Sequence, residues 1–243
     1  MAEETTQGKR IRRFSTGRIV EHLAHMLLFT ILVATGLSQK FYALDVSQWF
    51  ILRMGGIDTV RFLHHISGFA FTATTVLHIG TGIVGLAVRR WAPSMVITRK
   101  DFTDAIHNIR YYLGMHNQPA PCGRFTYKQK FEYWSVLLGA LLMIVSGFVL
   151  LFPILTARLF PGEIVPASKV LHSNEALLVL LIIAVWHIYN SIFSPDVFPL
   201  DTSIFTGSIS RERMAREHPL ELKALESEAG MPESRQGLEN PSP

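Results

Sequence analysis

Histidine is the residue type whose spacing carries chemistry in this sequence. Inside an apolar helix a neutral imidazole without a partner is costly, so a histidine at membrane depth is a functional candidate by default. Most of the ten histidines fall in long apolar stretches. His64 and His78 share one stretch, His172 and His187 another, and His22 and His25 stand near the start of a third. His64 and His78 are fourteen positions apart, which on an α-helix is a rotation of roughly 1400° and a rise of about 21 Å. The two rings return to within about 40° of one face, at opposite depths. His172 and His187, fifteen positions apart, drift by about 60° over a rise of about 22 Å.

If the two helices run parallel, His64 comes level with His172 and His78 with His187. Each level then offers two facing imidazoles, the axial ligands of a six-coordinate haem iron, and a flat macrocycle can slot between the helices with its edge among Leu, Val and Phe. Ser67 and Gly68, one turn from His64, are small enough to let a porphyrin lie against the backbone. Levels about 20 Å apart stack two cofactors across most of a bilayer, as electron transfer between its faces requires. A single buried histidine is ordinarily a hydrogen-bonded helix contact, but two matched pairs at nearly equal spacing are hard to obtain by accident. At the inner level His22 competes with His78 for the place opposite His187. His25, one turn deeper, reads as packing or as a contact to a propionate. Glu175, one turn from His172, is an acid within a membrane helix, suited to carrying protons, to contacting a propionate or to a solvated structural role.

Other metal chemistries lack their residues. No His-Glu-x-x-His occurs, which disfavours a zinc protease. The one cysteine, Cys122, rules out Cys-x-x-Cys-His for covalent haem, a four-thiolate iron–sulfur site and an internal disulfide. Two haems here would be of the non-covalent b type, and Cys122 reads as a reduced, incidental thiol.

The elements that must position these histidines are membrane helices. Of 243 residues, 49% are hydrophobic and 17% charged, against roughly a quarter charged in a soluble domain. Four stretches, 19–38, 62–88, 131–152 and 170–193, are long enough for the roughly 20 residues that a spanning helix needs. No small-residue cleavage site follows the basic start, so the first span is expected to stay. The N-terminal arm carries five Lys and Arg, the connection between the second and third spans eight, and the tail five, against three and two in the remaining connections. The positive-inside rule therefore puts both termini and the long connection on the cytoplasmic side. The net charge of +4 belongs to this inner rim rather than to a nucleic-acid surface. The expected fold is all-α, an up-down bundle of four membrane helices with two stacked b haems.

The expected organisation is a basic arm over 1–18, a transmembrane domain over 19–193 with a cytoplasmic loop at 89–130, and a cytoplasmic tail over 194–243. In the first outer connection Gly55 and Gly56 break regular structure. In the long inner one Phe102, Ile106, Ile109 and Leu113 recur at helical spacing after Thr98 and Asp101, which predicts a short amphipathic helix at the membrane surface. A Pro-Ala-Pro turn at residues 119–121 is expected to end it. The tail turns through Pro195 and Pro199 and becomes charged and poor in aromatics, with disorder expected over 230–243.

Two resemblances follow from particular residues. Arg61-Phe-Leu-His-His-Ile-Ser-Gly68 with Leu77-His78, and Leu171-His172 with Trp186-His187, resemble the haem-bearing helices of cytochrome b from quinol:cytochrome c oxidoreductases, which implies His78 opposite His187. A second likeness covers about residues 11–220. Arg18 to His22 followed by Gly36, Arg61-x-x-His64, Gly123-Arg-Phe-Thr-x-x-Gln129-Lys-x-x-Tyr133-Trp134 and His187-Ile-Tyr189 resemble the cytochrome b (gamma) subunit of membrane formate dehydrogenases and the related hydrogenase and thiosulfate reductase subunits. That likeness implies an outer haem on His64 and His172 and an inner haem on His22 and His187. It also implies a quinone site beside the inner haem at Thr126 and Gln129, although Thr126 replaces the family's asparagine and Lys128 a glycine.

The function these observations imply is that of an electron-transfer subunit of an oxidoreductase complex in a bacterial-type inner membrane. It would exchange electrons between an extracytoplasmic iron–sulfur or multihaem subunit and the quinone pool, menaquinone or ubiquinone. No nucleotide, flavin or molybdenum motif appears, so the substrate chemistry would belong to a separate catalytic subunit. A stand-alone membrane haem enzyme of the ferric reductase or superoxide oxidase type is the rival reading. A haem-free scaffold is a third, and it predicts a colourless protein.

Overall fold

The computed structural model describes residues 10–88, 92–194 and 197–228. Its elements in chain order are β1 (Arg10–Arg12), α1 (Thr16–Lys40), α2 (Asp45–Arg53), α3 (Ile57–Ala87), α4 (Arg99–Tyr112), α5 (Tyr127–Leu151), α6 (Pro153–Leu159) and α7 (Ile164–Leu181). After α7 come two π-helical segments, Ile182–His187 and Tyr189–Phe193, then α8 (Ser203–Thr206), β2 (Ser208–Ser210), α9 (Arg211–Glu217) and α10 (Pro219–Glu228). The chain forms two units, Phe14–Ala92 with Glu132–Phe205, and Met1–Arg13 with Pro93–Phe131 and Thr206–Pro243.

Four helices are long and apolar enough to cross a membrane: α1, α3, α5 and the run Ile164–Phe193. Their burial is inside-out relative to a soluble bundle. The buried positions include Thr35, Ser38, Ser67, Thr75, Ser146 and Ser168, while Leu27, Phe62, Val76, Val145 and Leu181 lie exposed. Small and hydroxylated residues between helices, with large apolar ones outside, are what lipid as solvent selects. In the larger unit α1 packs along α3 and touches α7. Phe69 of α3 meets Phe148 of α5 edge-on at 5.7 Å.

Local signals explain where the helices start and stop. Ser15 Oγ accepts the Arg18 N–H at the start of α1, and Lys40 sits in its last turn, where a cation complements the helix dipole. Gly55 and Gly56, at φ +90° and +105°, make the turn between α2 and α3 that was expected of them. Side chains rarely adopt such a conformation. All four spans start earlier than the hydropathy edges, most clearly α3, which begins at Ile57 rather than 62, and α7, at Ile164 rather than 170. The polar residues Asp58, Arg61, Ser168 and Lys169 in those first turns are what an apolar window trims away. The short helices α2, between the first and second spans, and α6, between the third and fourth, were not expected.

Past Leu181 the last span widens, and the Ile188 N–H donates to the Ile183 carbonyl in an i→i+5 pattern. Such π segments occur often at functional sites. This one ends on His187.

The smaller unit is built on a pairing of sequence-distant strands. β1 and β2 are antiparallel, with Ile11 opposite Ile209, and Ile209, Met214 and Leu222 form a small core to which Ile11 and Ala215 add. Residues 10–12 of the basic arm thus form a strand, and the tail continues as α8 to α10. Arg13 is buried; its Nη1 lies 2.6 Å from His218 Nε2, and its Nη2 donates to the Arg124 carbonyl at 2.5 Å.

The amphipathic helix expected after Thr98 is α4, closed by a reciprocal capping box between Thr98 and Asp101. Phe102, Ile106, Ile109 and Leu113 are all exposed on it. It ends at Tyr112, and just past its cap stands Gly114, with φ +74°, after which the Met115 N–H donates to the Arg110 carbonyl. Glycine in this left-handed conformation closes the helix before the Pro-Ala-Pro turn is reached. Lys9, Arg89, Arg90, Trp91, Pro195 and the stretch 230–243 lie outside the described residues.

Candidate functional site

The larger unit brings four of the five candidate ligand imidazoles together as two pairs. His64 on α3 and His172 on α7 have ring centroids 6.3 Å apart and planes inclined at 76°. His22 on α1 and His187 at the end of the first π segment have centroids 6.1 Å apart and planes inclined at 43°. With a metal–imidazole nitrogen bond of about 2 Å and a ring nitrogen about 1 Å from its own centroid, two rings on opposite sides of one iron have centroids about 6 Å apart.

Hydrogen bonding fixes the tautomer of the first pair. Thr35 Oγ1 donates to the Ile31 carbonyl at 2.7 Å, so its oxygen is left to accept the His64 Nδ1–H at 2.9 Å. Ser146 repeats the device: its Oγ donates to the Leu142 carbonyl at 2.6 Å and accepts the His172 Nδ1–H at 2.9 Å. Each ring therefore keeps its Nε2 lone pair, the state a metal ligand needs, with the other nitrogen oriented as ligating histidines usually are. Glycine makes room beside both. A Cβ at Gly36 would lie 3.2 Å from His64 Cε1, and one at Gly147 3.2 Å from His172 Cε1. The dipeptides Thr35-Gly36 and Ser146-Gly147 thus serve equivalent rings from α1 and α5.

At the second pair the His187 Nδ1–H is bonded to Glu132 Oε1 of α5. His22 Nδ1 is buried without a hydrogen-bond partner among the described residues.

His78 is placed differently. Its Nδ1 lies 2.8 Å from Glu21 Oε1 and 3.1 Å from Arg18 Nη1, and its Nε2 lies 2.9 Å from the Tyr133 hydroxyl. Both ring nitrogens are thereby engaged, and its ring contacts are with His25 and Tyr133. His25 donates its Nδ1–H to the Glu21 carbonyl at 2.9 Å and packs edge-on against Phe71. Glu175 stands close to α5, since a Cβ at Gly139 would lie 3.1 Å from its Oε1. In the smaller unit Thr126 and Gln129 cap α5 reciprocally. The Thr126 N–H donates to Gln129 Oε1 at 2.9 Å, and the Gln129 N–H to Thr126 Oγ1 at 3.1 Å.

The donor set tells which group fits. Among the described residues no cluster of three or more His, Cys, Asp or Glu side chains is arranged to hold a metal ion. A pair of imidazoles suits a metal that brings its other ligands with it, and a porphyrin supplies four in a plane, leaving two axial places. Sequence reasoning did not find Thr35, Ser146, Gly147 or Glu132. A hydroxyl–glycine dipeptide in mid-span was the available signal, and it is weak because Ser67-Gly68 and Thr81-Gly82 repeat it.

Fold and site together define a class, a four-span helical membrane protein with imidazoles paired at two places along its helices. No known family profile matches the chain. It is similar over nearly its whole length to cytochrome b subunits of formate dehydrogenase. The cytochrome b556(Fdn) subunit of the nitrate-inducible formate dehydrogenase of Escherichia coli K12 is 22% identical over 218 residues, 89% of this chain and 92% of the relative. The cytochrome b556(fdo) subunit of formate dehydrogenase from the same strain is 23% identical over 209 residues, 86% of this chain and 90% of the relative. The Shigella flexneri Fdn subunit matches at 22%.

Proposed function

We propose that this chain is a di-haem cytochrome b, the membrane subunit of an oxidoreductase complex, carrying electrons between a redox partner outside the cytoplasm and the quinone pool. The observation that carries the proposal is the pair His64 and His172, 6.3 Å apart, with both Nδ1–H groups tied to hydroxyls. The similarity to cytochrome b556 subunits of formate dehydrogenase supports it independently. His64 and His172 hold one b haem, and His187 with His22 holds the other. His78, engaged by Glu21 and Tyr133, serves as a polar contact near the second site instead of a ligand.

Haem supplies reversible one-electron chemistry when bound; the chain supplies ligands, orientation and a low-dielectric shell. The partners are an iron–sulfur or multihaem subunit and a catalytic subunit that performs the substrate chemistry. Both termini face the cytoplasm, following the basic residues. Quinone is reached from that side. The α5 cap uses the side-chain oxygens of Thr126 and Gln129, which leaves Gln129 Nε2 as the donor toward a quinone carbonyl.

The test is a pyridine haemochrome assay with optical spectra on the purified chain and on His22→Ala and His78→Ala. Two b haems per chain are expected, with His22→Ala losing one low-spin signal and His78→Ala keeping both. Colourless protein refutes the proposal. Loss of one haem in His78→Ala but not in His22→Ala moves the ligand assignment.

A further inference from the structure

The two histidine pairs are held by different chemistry. At His64 and His172 the groups accepting the Nδ1–H are uncharged hydroxyls, Thr35 Oγ1 and Ser146 Oγ. At His187 the acceptor is a carboxylate oxygen of Glu132, whose side chain is only 14% exposed. Little water screens that charge, and charges act more strongly in a low-dielectric interior. A carboxylate that accepts the Nδ1–H draws the proton toward itself and raises the basicity of the ring, so that Nε2 donates more electron density. Electron donation to iron favours the oxidised form, and such outer hydrogen bonds are one of the protein's means of setting haem potential.

We infer that Glu132 sets the two sites at unequal potential, with the His22/His187 site the lower, so that a single electron shared between them rests at His64/His172. The inference rests on the two-haem reading above. Nearby charges do not cancel the effect. Glu21, beside His22, is already engaged by Arg18 and by His78, each at 2.8 Å. Close to His172, the Lys40 ammonium donates to Ser173 Oγ and Asn174 Oδ1, both at 3.1 Å, and Glu175 brings the opposite sign one turn along α7. Among the described residues, Glu132 is the one charged side chain bonded directly to a ring of either pair. The resulting gradient favours passage from the quinone side outward. An outer partner that drives electrons inward must therefore be the stronger reductant.

The experiment is a redox titration of the purified full chain, followed optically, comparing wild type with Glu132→Gln. The amide can still accept the Nδ1–H, so the contact is kept while the charge is removed. The expected result is a shift of the lower-potential component by at least tenfold in its reduced-to-oxidised ratio at fixed potential, 59 mV for one electron, toward easier reduction. The higher component stays in place. A second measurement does not depend on that variant: in His64→Ala the haem that remains is the lower-potential one. Two haems whose potentials ignore Glu132→Gln, or a remaining haem of higher potential in His64→Ala, overturn the inference while leaving the two-haem reading intact. A colourless wild-type chain removes both.

Discussion

Thr35 and His64 are joined by a hydrogen bond whose direction is set from outside the pair, because the threonine proton is committed to the Ile31 carbonyl and the imidazole must donate. Outer partners of metal-ligating histidines are commonly worth about 10–100-fold in metal affinity. Thr35→Val keeps the shape and removes the acceptor. It is expected to weaken retention of one b haem by about 10–100-fold, and Ser146→Ala is expected to do the same to the same haem. Haem content after controlled dilution into detergent checks this, and retention equal to wild type in both variants would mean that the hydroxyls do not act on ligands.

The four spans were legible because hydropathy is a one-dimensional property, and the pairing of His64 with His172 was legible because two regular helices preserve phase. For His187 the spacing left His78 and His22 as rivals, for a geometric reason, and only the resemblance to formate dehydrogenase subunits favoured His22. The chain leaves α-helical register at Ile182, so a count of 100° per residue from His172 no longer says which way His187 faces. The resulting partner is His22 at 6.1 Å, while His78 is tied to Glu21 and Tyr133. Glu132 and Thr35 were invisible for another reason: each acts on a ring from a different helix, and such a contact leaves no periodic trace. The β1–β2 pairing joins Arg10 to Ser210, and three-residue strands carry too little pattern to announce themselves.

Glycine at position 147 is a steric requirement with a measurable threshold. A Cβ there would lie 3.2 Å from Cε1 and 3.7 Å from Nδ1 of His172, a gap that a ring can open by a few tenths of an ångström. On the two-haem reading proposed above, Gly147→Ala should therefore keep both haems. Gly147→Val adds two methyl groups in the one rotamer a helix favours, and displacing the ring should cost one haem of the two. A valine variant with full haem content and an unchanged spectrum would show that α5 does not press on His172.

In the smaller unit, Asp101 and Lys130 form a buried ion pair 2.9 Å long, with each side chain 11% exposed. Burial by itself would raise the Asp101 carboxyl, but hydrogen bonds from Lys130 and Thr98 outweigh it and hold the group below its ordinary value. A depressed carboxyl contributes stability in full above the unfolded pKa of about 3.9. The contribution is lost as pH falls through the lower folded-state value. Protection of the 93–131 segment from hydrogen exchange should thus hold from neutral pH down to about pH 4 and fall below it. Asp101→Asn leaves a buried ammonium uncompensated and should cost about 3–5 kcal/mol, with Asp101→Leu/Lys130→Met recovering most of it. Equal protection in wild type and Asp101→Asn at pH 7 would count against the pair.

Cys122 should be a slow thiol. Its Sγ donates to the Gly123 carbonyl at 3.2 Å, and burial pushes its pKa up to about 11, whereas a free cysteine titrates at about 8.5. The raised value means that the thiolate, the reactive form, is scarce at pH 8, by a factor of about 200 relative to a free cysteine. Maleimide labelling of the folded chain at pH 8 should therefore run about 200-fold slower than after denaturation, and it should accelerate as pH climbs toward the shifted value. A thiol reacting at the free rate in the folded chain would instead require a solvent-open, electropositive setting, contrary to the half-buried one observed.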